Sequence, residues 1–374
     1  MKDLKMLNFV DAFSGAGGLA LGLQRAGLEP LLSFDFDDKC IETHKLNKKY
    51  FKHSCEKMDI NNLLKGKWKK FIDLNNKELF LLAGGPPCQG FSVQRIGSDE
   101  DERNDLVVSF IKLACELKPK FFLMENVAGL KGKRGLTTLN KAISIAEKNG
   151  YYIHQKVMDA QDFGVPQRRK RIIVVGEKLT DGDLPVFYFP DPKNKKTTVR
   201  DAIGALPDVL SNREENAKIT HHVADKLSEL NRKRLMALKQ GQGMKDLPKN
   251  LLAECHKLGA SKIGHRNVYG RMKWDDVAPT ITARFDSFTR GQFGHPENIR
   301  SISLREGALL QTFPVDFNFS GNKVDIARQI GNAVPPKLGE VIGRQIIKCF
   351  ENKKARAKLK IAKQLDLEPL SESV

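Results

Sequence analysis

Leu7-Asn8-Phe9-Val10-Asp11-Ala12-Phe13-Ser14-Gly15-Ala16-Gly17-Gly18-Leu19-Ala20-Leu21-Gly22-Leu23-Gln24-Arg25-Ala26-Gly27 carries three structural signals in succession. Its first seven residues read as a short buried strand. Ser14 to Gly18 is a glycine-rich turn. From Leu19 the apolar residues fall on one helical face, and Gly27 ends the helix. Strand, glycine turn and helix make the first unit of a nucleotide-binding α/β fold. The glycines let a ligand lie against the backbone, and the helix N-terminus offers free N–H groups to an anionic group. The full dinucleotide spacing G-x-G-x-x-G is absent.

Working outward, Leu31-Leu32-Ser33-Phe34 ends in Asp35-Phe36-Asp37. An acid at the end of a second strand, about 20 residues past a glycine turn, takes ribose hydroxyls in folds of this kind. The competing reading of Asp35 is a helix N-cap. Phe36 offers a ring on which an adenine can stack, and Asp59 in Met58-Asp59-Ile60 a partner for the adenine amine. A fourth apolar run, Leu79 to Ala83, breaks into Gly84-Gly85-Pro86-Pro87 and then Cys88. Neither a helix nor a central strand absorbs that turn. It is a stiff mount for a nucleophile, set against the ordinary reading of Cys88 as a small core residue. Phe91 to Asn104 is polar, has little to bury and suits a lid. Asp105 to Leu117 has helical periodicity.

Phe121 to Met124 is another buried strand, and Glu125-Asn126-Val127 closes it. A carboxylate there falls in the crevice at the strand ends and is a candidate acid for protonating a ring nitrogen. A helix from Leu139 to Asn149 and a strand from Tyr151 to Met158 follow. Gln167, Arg169 and Arg171 then lead into Ile172 to Gly176; as alternate residues of a strand they point to one side. From about Thr180 the strand–helix rhythm stops. Short strands, turns and one helical stretch near Leu227 to Lys239 are expected up to Phe319. Gly331-Asn332 reads as a turn before an amphipathic helix, Leu338 to Phe350, with a basic helical tail from Asn352 to Lys363.

The chain has 374 residues, enough for two domains. Its net charge of +18 favours a polyanionic partner, nucleic acid first. Six cysteines at unpaired spacings argue against a disulfide framework or structural zinc and for a reducing, cytoplasmic setting. Neither a signal peptide nor an apolar run of membrane-spanning length is expected.

Six motifs stand in order: Asp11 to Gly18, Gly84 to Ser92, Glu125-Asn126-Val127, Gln167 to Arg171, Arg305-Glu306 with Leu310 to Pro314, and Gly331 to Pro335. In this order the chain resembles the DNA (cytosine-5) methyltransferases of bacterial restriction–modification systems. Leu309 departs from the arginine usual there. The resemblance implies a doubly wound, mostly parallel α/β sheet of the S-adenosylmethionine-dependent type, residues 1–187 completed by 326–374. A smaller, irregular, β-rich target-recognition domain would span 188–325. It implies methyl transfer to C5 of a cytosine flipped out of double-stranded DNA by a monomeric enzyme, associated with the nucleoid through DNA. Cys88 is then the nucleophile adding at C6, Glu125 the partner of N3 and the exocyclic amine, and Arg171 of the O2 edge. Arg169 steadies the nucleophile's loop or a phosphate. S-adenosylmethionine would be held by Phe13, Ser14, Gly15, Gly17, Gly18, Asp35, Phe36, Asp59, Ile60, Pro87, Leu106 and Asn332. DNA would meet Gln89, Ser92, Arg95, Arg103 and Gln167. No metal is implied. The competing readings are an RNA cytosine methyltransferase, a DNA-binding protein on an inactive fold of this kind, and a dinucleotide oxidoreductase.

Overall fold

The computed structural model describes residues 7–74, 78–87, 105–180, 182–209, 219–254 and 267–365. Seven strands form one sheet: β1 (Asn8–Ala12), β2 (Glu29–Asp35), β3 (Ser54–Lys57), β4 (Leu81–Gly84), β5 (Phe121–Val127), β6 (Tyr151–Asp159) and β7 (Lys170–Lys178). Their order is β3-β2-β1-β4-β5-β7-β6. The pairs from β3 to β5 are parallel, and β7 runs antiparallel to both its neighbours. The order reverses between β1 and β4, which opens a crevice at their carboxyl ends.

Side-chain alternation fills both faces. Leu81, Ala83, Phe121, Leu123, Ile173 and Val175 pack on one side with α1 (Gly18–Ala26) and the long C-terminal helix, residues 336–365. Leu82, Phe122, Met124, Ile172 and Val174 pack on the other with α3 (Asp105–Leu117) and α4 (Leu136–Lys148). Strands covered on both faces read as continuous apolar runs, which is why β1, β4 and β5 are visible in the sequence. β3 is not. It is the polar edge strand Ser54-Cys55-Glu56-Lys57, and the helix before it, α2 (Asp38–Leu46), has a mixed face.

After β7 the chain crosses the α1 side of the sheet. Phe187, Trp274, Ile281, Phe285, Ile302, Leu310 and Phe313 belong to the same apolar cluster as that sheet face. Leu235, Leu238, Met244, Leu247, Val268, Tyr269 and Phe288 form a smaller cluster of their own. Short helices punctuate the region: α5 (Val199–Ile203), α6 (Glu229–Met236) and α7 (Leu304–Leu310). The expected short strands are not found. Among the described residues of 188–325 there are only isolated bridges, such as Arg271 with Gly294 and Gly294 with Ser301. Among the described residues the region is irregular without being β-rich, and several of its carbonyls bond to the buried Arg271 and Arg305. Gly331 and Asn332 are the last residues of a helix, α8 (Lys323–Asn332), where a turn was expected. The last helix, α9 (Pro336–Leu365), joins the two C-terminal stretches in one element.

Candidate active site

The glycine turn leaves β1 in left-handed backbone: φ is +54° at Phe13, +53° at Gly15 and +84° at Gly17. Ser14 N–H bonds the Phe34 carbonyl at 3.0 Å, so the turn is anchored to the end of β2. Asp35 accepts from Gly15 N–H at 2.8 Å and Asp37 N–H at 2.9 Å. It is therefore the clasp between turn and strand, and Asp37 is the residue that caps α2, through Lys39 N–H. Burial raises the Asp35 carboxyl pKa against the opposing pull of those amides. Beneath it Asp11 is fully buried, and among the described residues neither carboxylate oxygen has a well-aligned hydrogen bond. Burial first, and then the charge of Asp35, lifts its pKa well above the ordinary value.

The other strand ends converge on the same rim. Met58 N–H bonds the Asp35 carbonyl at 2.9 Å, which sets Asp59 and Ile60 beside Phe36. Asp59 caps a 3-10 turn at Ile60–Leu63 through Asn61 N–H, and Ile60 is buried. Phe36 is 70% exposed, with the Lys57 ammonium 5.9 Å from its ring centroid. Phe13 and Leu106 are half-buried against the cluster on the α3 side. Gly18 touches the Val334 carbonyl so closely that any side chain there would strike it, while a side chain at Gly15 would enter open space. Asn332 is exposed, just before that Val334 contact.

β4 and β5 carry the second half of the site. Residues 121, 123 and 125 share one face, so Glu125 stands on the side of β5 that Arg171 shares on β7, where Val127 pairs with Arg171. Arg171 Nε lies 2.9 Å from Glu125 Oε1. That oxygen has no aligned hydrogen bond, so the contact is an ion pair without a directed N–H. Gly85 abuts the Glu125 carboxylate. Asn126 Nδ2 donates to the Pro86 carbonyl at 2.9 Å and pins the Gly85–Pro87 turn to the end of β5. Cys88, Gln89, Ser92, Arg95 and Arg103, with the whole 91–104 loop, lie outside the described residues.

A family model for C-5 cytosine-specific DNA methylases matches residues 7–348. The chain belongs to that family. The methylase is 34% identical over 94% of its length to the type II methylase M.HgiDII of Herpetosiphon aurantiacus, of which 98% is covered. It is 35% identical to the type II methyltransferase M1.HphI of Haemophilus parahaemolyticus over 92% of this chain and 88% of that one. Among solved structures it is similar to an E. coli prophage protein described as a DNA modification methyltransferase. That likeness has a TM-score of 0.68 and 28% identity, and covers 92% of this chain and 99% of that one. The strand order is that of the S-adenosylmethionine-dependent methyltransferase fold.

Two residues of the methylase sit elsewhere than the sequence suggests. Gln167 has no exposed surface: its amide donates to the Leu310 carbonyl at 3.0 Å and to Gln311 Oε1 at 2.8 Å, and accepts from Ile281 N–H at 3.0 Å. It is an internal tie, not a DNA contact. Arg169 is 1% exposed and donates to the carbonyls of Ile281, Gly331 and Ala333 at 2.9–3.0 Å. No phosphate can reach it. Burial, then the nearby Arg171, lowers its pKa well below the ordinary arginine value, while Glu125 pulls the other way. Both residues precede β7, so strand alternation does not govern them. Gln311 completes this knot by donating to the Ile330 carbonyl at 2.5 Å. The Leu310-Gln311 motif marked its position; its partners, at 167 and 330, are too distant in sequence for any local pattern to reveal.

Proposed function

We propose that this methylase transfers the methyl group of S-adenosylmethionine to C5 of a cytosine flipped out of double-stranded DNA, through a covalent Cys88–C6 adduct. The observation that carries the reading is the Glu125–Arg171 pair, held on one face beside the turn that leads to Cys88. The rim fits an adenosyl group: open space over Gly15, carboxylates at the ends of β2 and just past β3, and an exposed Phe36 ring between them. Asp35 and Asp59 would meet the ribose hydroxyls and the adenine amine. Bound there, the cofactor supplies an electrophilic methyl group on a sulfonium.

C5 of cytosine is a poor nucleophile until C6 is attacked. The Cys88 thiolate pair forms a bond to C6, and the displaced C5=C6 π pair makes C5 enamine-like. Glu125 holds N3 and the exocyclic amine, and Arg171 the O2 edge, where charge develops. C5 takes the methyl group, leaving S-adenosylhomocysteine; it then gives up its proton to solvent, the C5–H pair re-forms the C5=C6 bond, and the C6–S pair leaves with the Cys88 thiolate. A stacked base cannot present C6 to a thiolate, so it must leave the duplex. We assign target choice to the 188–325 region and cofactor binding to 1–187 with 326–374. The type II methylases among its relatives support a place as the modification enzyme of a restriction–modification system.

Cys88→Ala should abolish methyl transfer and retain DNA binding. A duplex carrying 5-fluorocytosine at the target should trap a covalent complex with the wild type alone, because fluorine does not leave as the C5 proton does. Turnover by the alanine variant would overturn the adduct.

A further inference from the structure

The turn that follows β5 is used by none of the groups above. Lys131, Gly132, Lys133 and Arg134 are all exposed. No acidic residue stands between Glu125 and Glu147. Several other surface cations are neutralised: Lys57 by Asp38, Arg168 by Asp276, Arg328 by Asp37 and Lys337 by Glu340. Lys131 and Lys133 have no acidic partner among the described residues. Two unneutralised ammonium groups at one turn are a standing attraction for a polyanion.

The turn is rigid. Gly132 N–H bonds the Gly129 carbonyl at 2.8 Å, and Gly135 N–H bonds the Gly132 carbonyl at 3.0 Å. Gly135 lies so close to the Leu130 backbone that no side chain fits there. Leu130 is buried in the cluster on the α3 and α4 side of the sheet. Ile281, Phe285 and Leu310, which anchor the 188–325 region, lie in the cluster of the opposite side. The two flank the crevice from opposite sides of the sheet. Glu125, six residues before Lys131, stands at the crevice between them.

We infer that Lys131 and Lys133 grip the phosphodiester backbone of the DNA substrate, on the side of the site away from the 188–325 region. This rests on the methylase acting on duplex DNA. The contact is to phosphate, so it adds affinity for any sequence and holds the strand while the opposite side reads bases.

The test is the salt dependence of binding to a fluorescent mixed-sequence duplex, measured by anisotropy with full-length protein. Each neutralised phosphate contributes about 0.9 to the slope of log K against log salt. The double variant Lys131→Ala/Lys133→Ala should therefore lose about 2 from that slope. Its KM for DNA should rise, with kcat and cofactor affinity unchanged. Lys148→Ala, at the far end of α4, should leave the slope unchanged. An unchanged slope in the double variant overturns the clamp, as does an equal change in Lys148→Ala, which would mean net charge alone. A wild-type protein that binds the duplex without salt dependence would instead sink the duplex-DNA reading itself.

Discussion

The sheet and the 188–325 region solve the same problem by different means. In the sheet, buried N–H and C=O groups of β1, β4 and β5 bond one another along the ladder, and side chains are left free for function at the strand ends. Among the described residues of the irregular region there is no ladder, and buried guanidinium groups hold many of its carbonyls. Arg271 alone donates to the carbonyls of Leu235, Leu238, His295, Glu297 and Asn298 at 2.8–3.2 Å. Arg305 donates to the carbonyls of Thr220, Pro314 and Phe317. Arg300 forks onto Glu306 with two bonds of 2.8 Å and reaches Asp208 at 3.0 Å. An arginine presents five donors in a fixed fork, so one side chain can fasten loops that no register could align. The lesson is that basic residues of this protein have two employments: some face a polyanion, and some are the scaffold.

That distinction is sharpest at Arg271. Arg271→Met keeps much of the volume and takes a donor from five carbonyls; those of Leu235 and Asn298 keep a backbone N–H, and those of Leu238, His295 and Glu297 lose their arginine donor. Each orphaned buried acceptor costs about 1–3 kcal/mol, so even partial hydration of the site leaves a loss of at least about 3 kcal/mol. Hydrogen exchange should lose protection across 235–298 and keep it in β1, β4 and β5. Equal loss in both regions would show that they unfold as one unit and that the contrast is only local geometry.

Acid should act on both regions, since burial lowers the pKa of His44 to about 3 and of His53 to about 4 on the sheet side, and His295 marks its effect on the irregular region. His295 Nδ1 accepts from Glu297 N–H at 3.2 Å and Asn298 N–H at 2.9 Å, in the segment that Arg271 fastens. Its other nitrogen lies 3.7 Å from Glu306. Burial, and then Arg300, lowers its pKa to about 4, against the pull of Glu306 and Asp208. The unfolded chain takes up that proton near pH 6.5 and the folded one only near 4. Stability from this group is complete above the unfolded value, falls as the pH drops from about 6.5 to about 4, and is then constant; the loss is about 3 kcal/mol. His295→Asn should flatten that part of a plot of unfolding free energy against pH. A slope unchanged in the variant would show that His295 contributes nothing and leave the acid sensitivity to the sheet-side His44 and His53.

The smallest effect belongs to the sheet side and should stay there. Asp35→Ala removes the clasp on Gly15 and the proposed ribose acceptor. Cofactor affinity should fall by about 1.5–3 kcal/mol, the scale of a hydrogen bond to a charged group. DNA affinity and protection of 235–298 should not move. Unchanged cofactor affinity by calorimetry would leave Asp35 as a structural clasp alone.

Asp35 also shows how legible the site was. Its place at the end of an apolar run, past a glycine turn, could be read directly, because a strand end and a tight turn are local events. The bonds that make it a clasp rather than a cap came only with the fold. Glu125 and the Gly84–Pro87 mount were equally legible. Arg169 and Gln167 were not: they read as outward-facing residues of a strand, and the strand starts after them, at Lys170. β3 escaped notice for the opposite reason, since an edge strand has too little to bury to leave a pattern.

What the sequence determined by itself is therefore the ordered set of apolar runs, their punctuation by glycine and proline, and the chemical groups at each break. Those rest on interactions between residues a few positions apart, where backbone sterics and side-chain periodicity act directly. Only the tertiary structure decided which arginines are buried, because a guanidinium is satisfied equally by water, a phosphate or a carbonyl. The choice among them at Arg169, Arg271 and Arg305 was made by carbonyls from other segments, up to 164 residues away in the chain. Motifs marked Arg169 and Arg305, but no local pattern showed that they are buried while Lys131 and Lys133 are exposed.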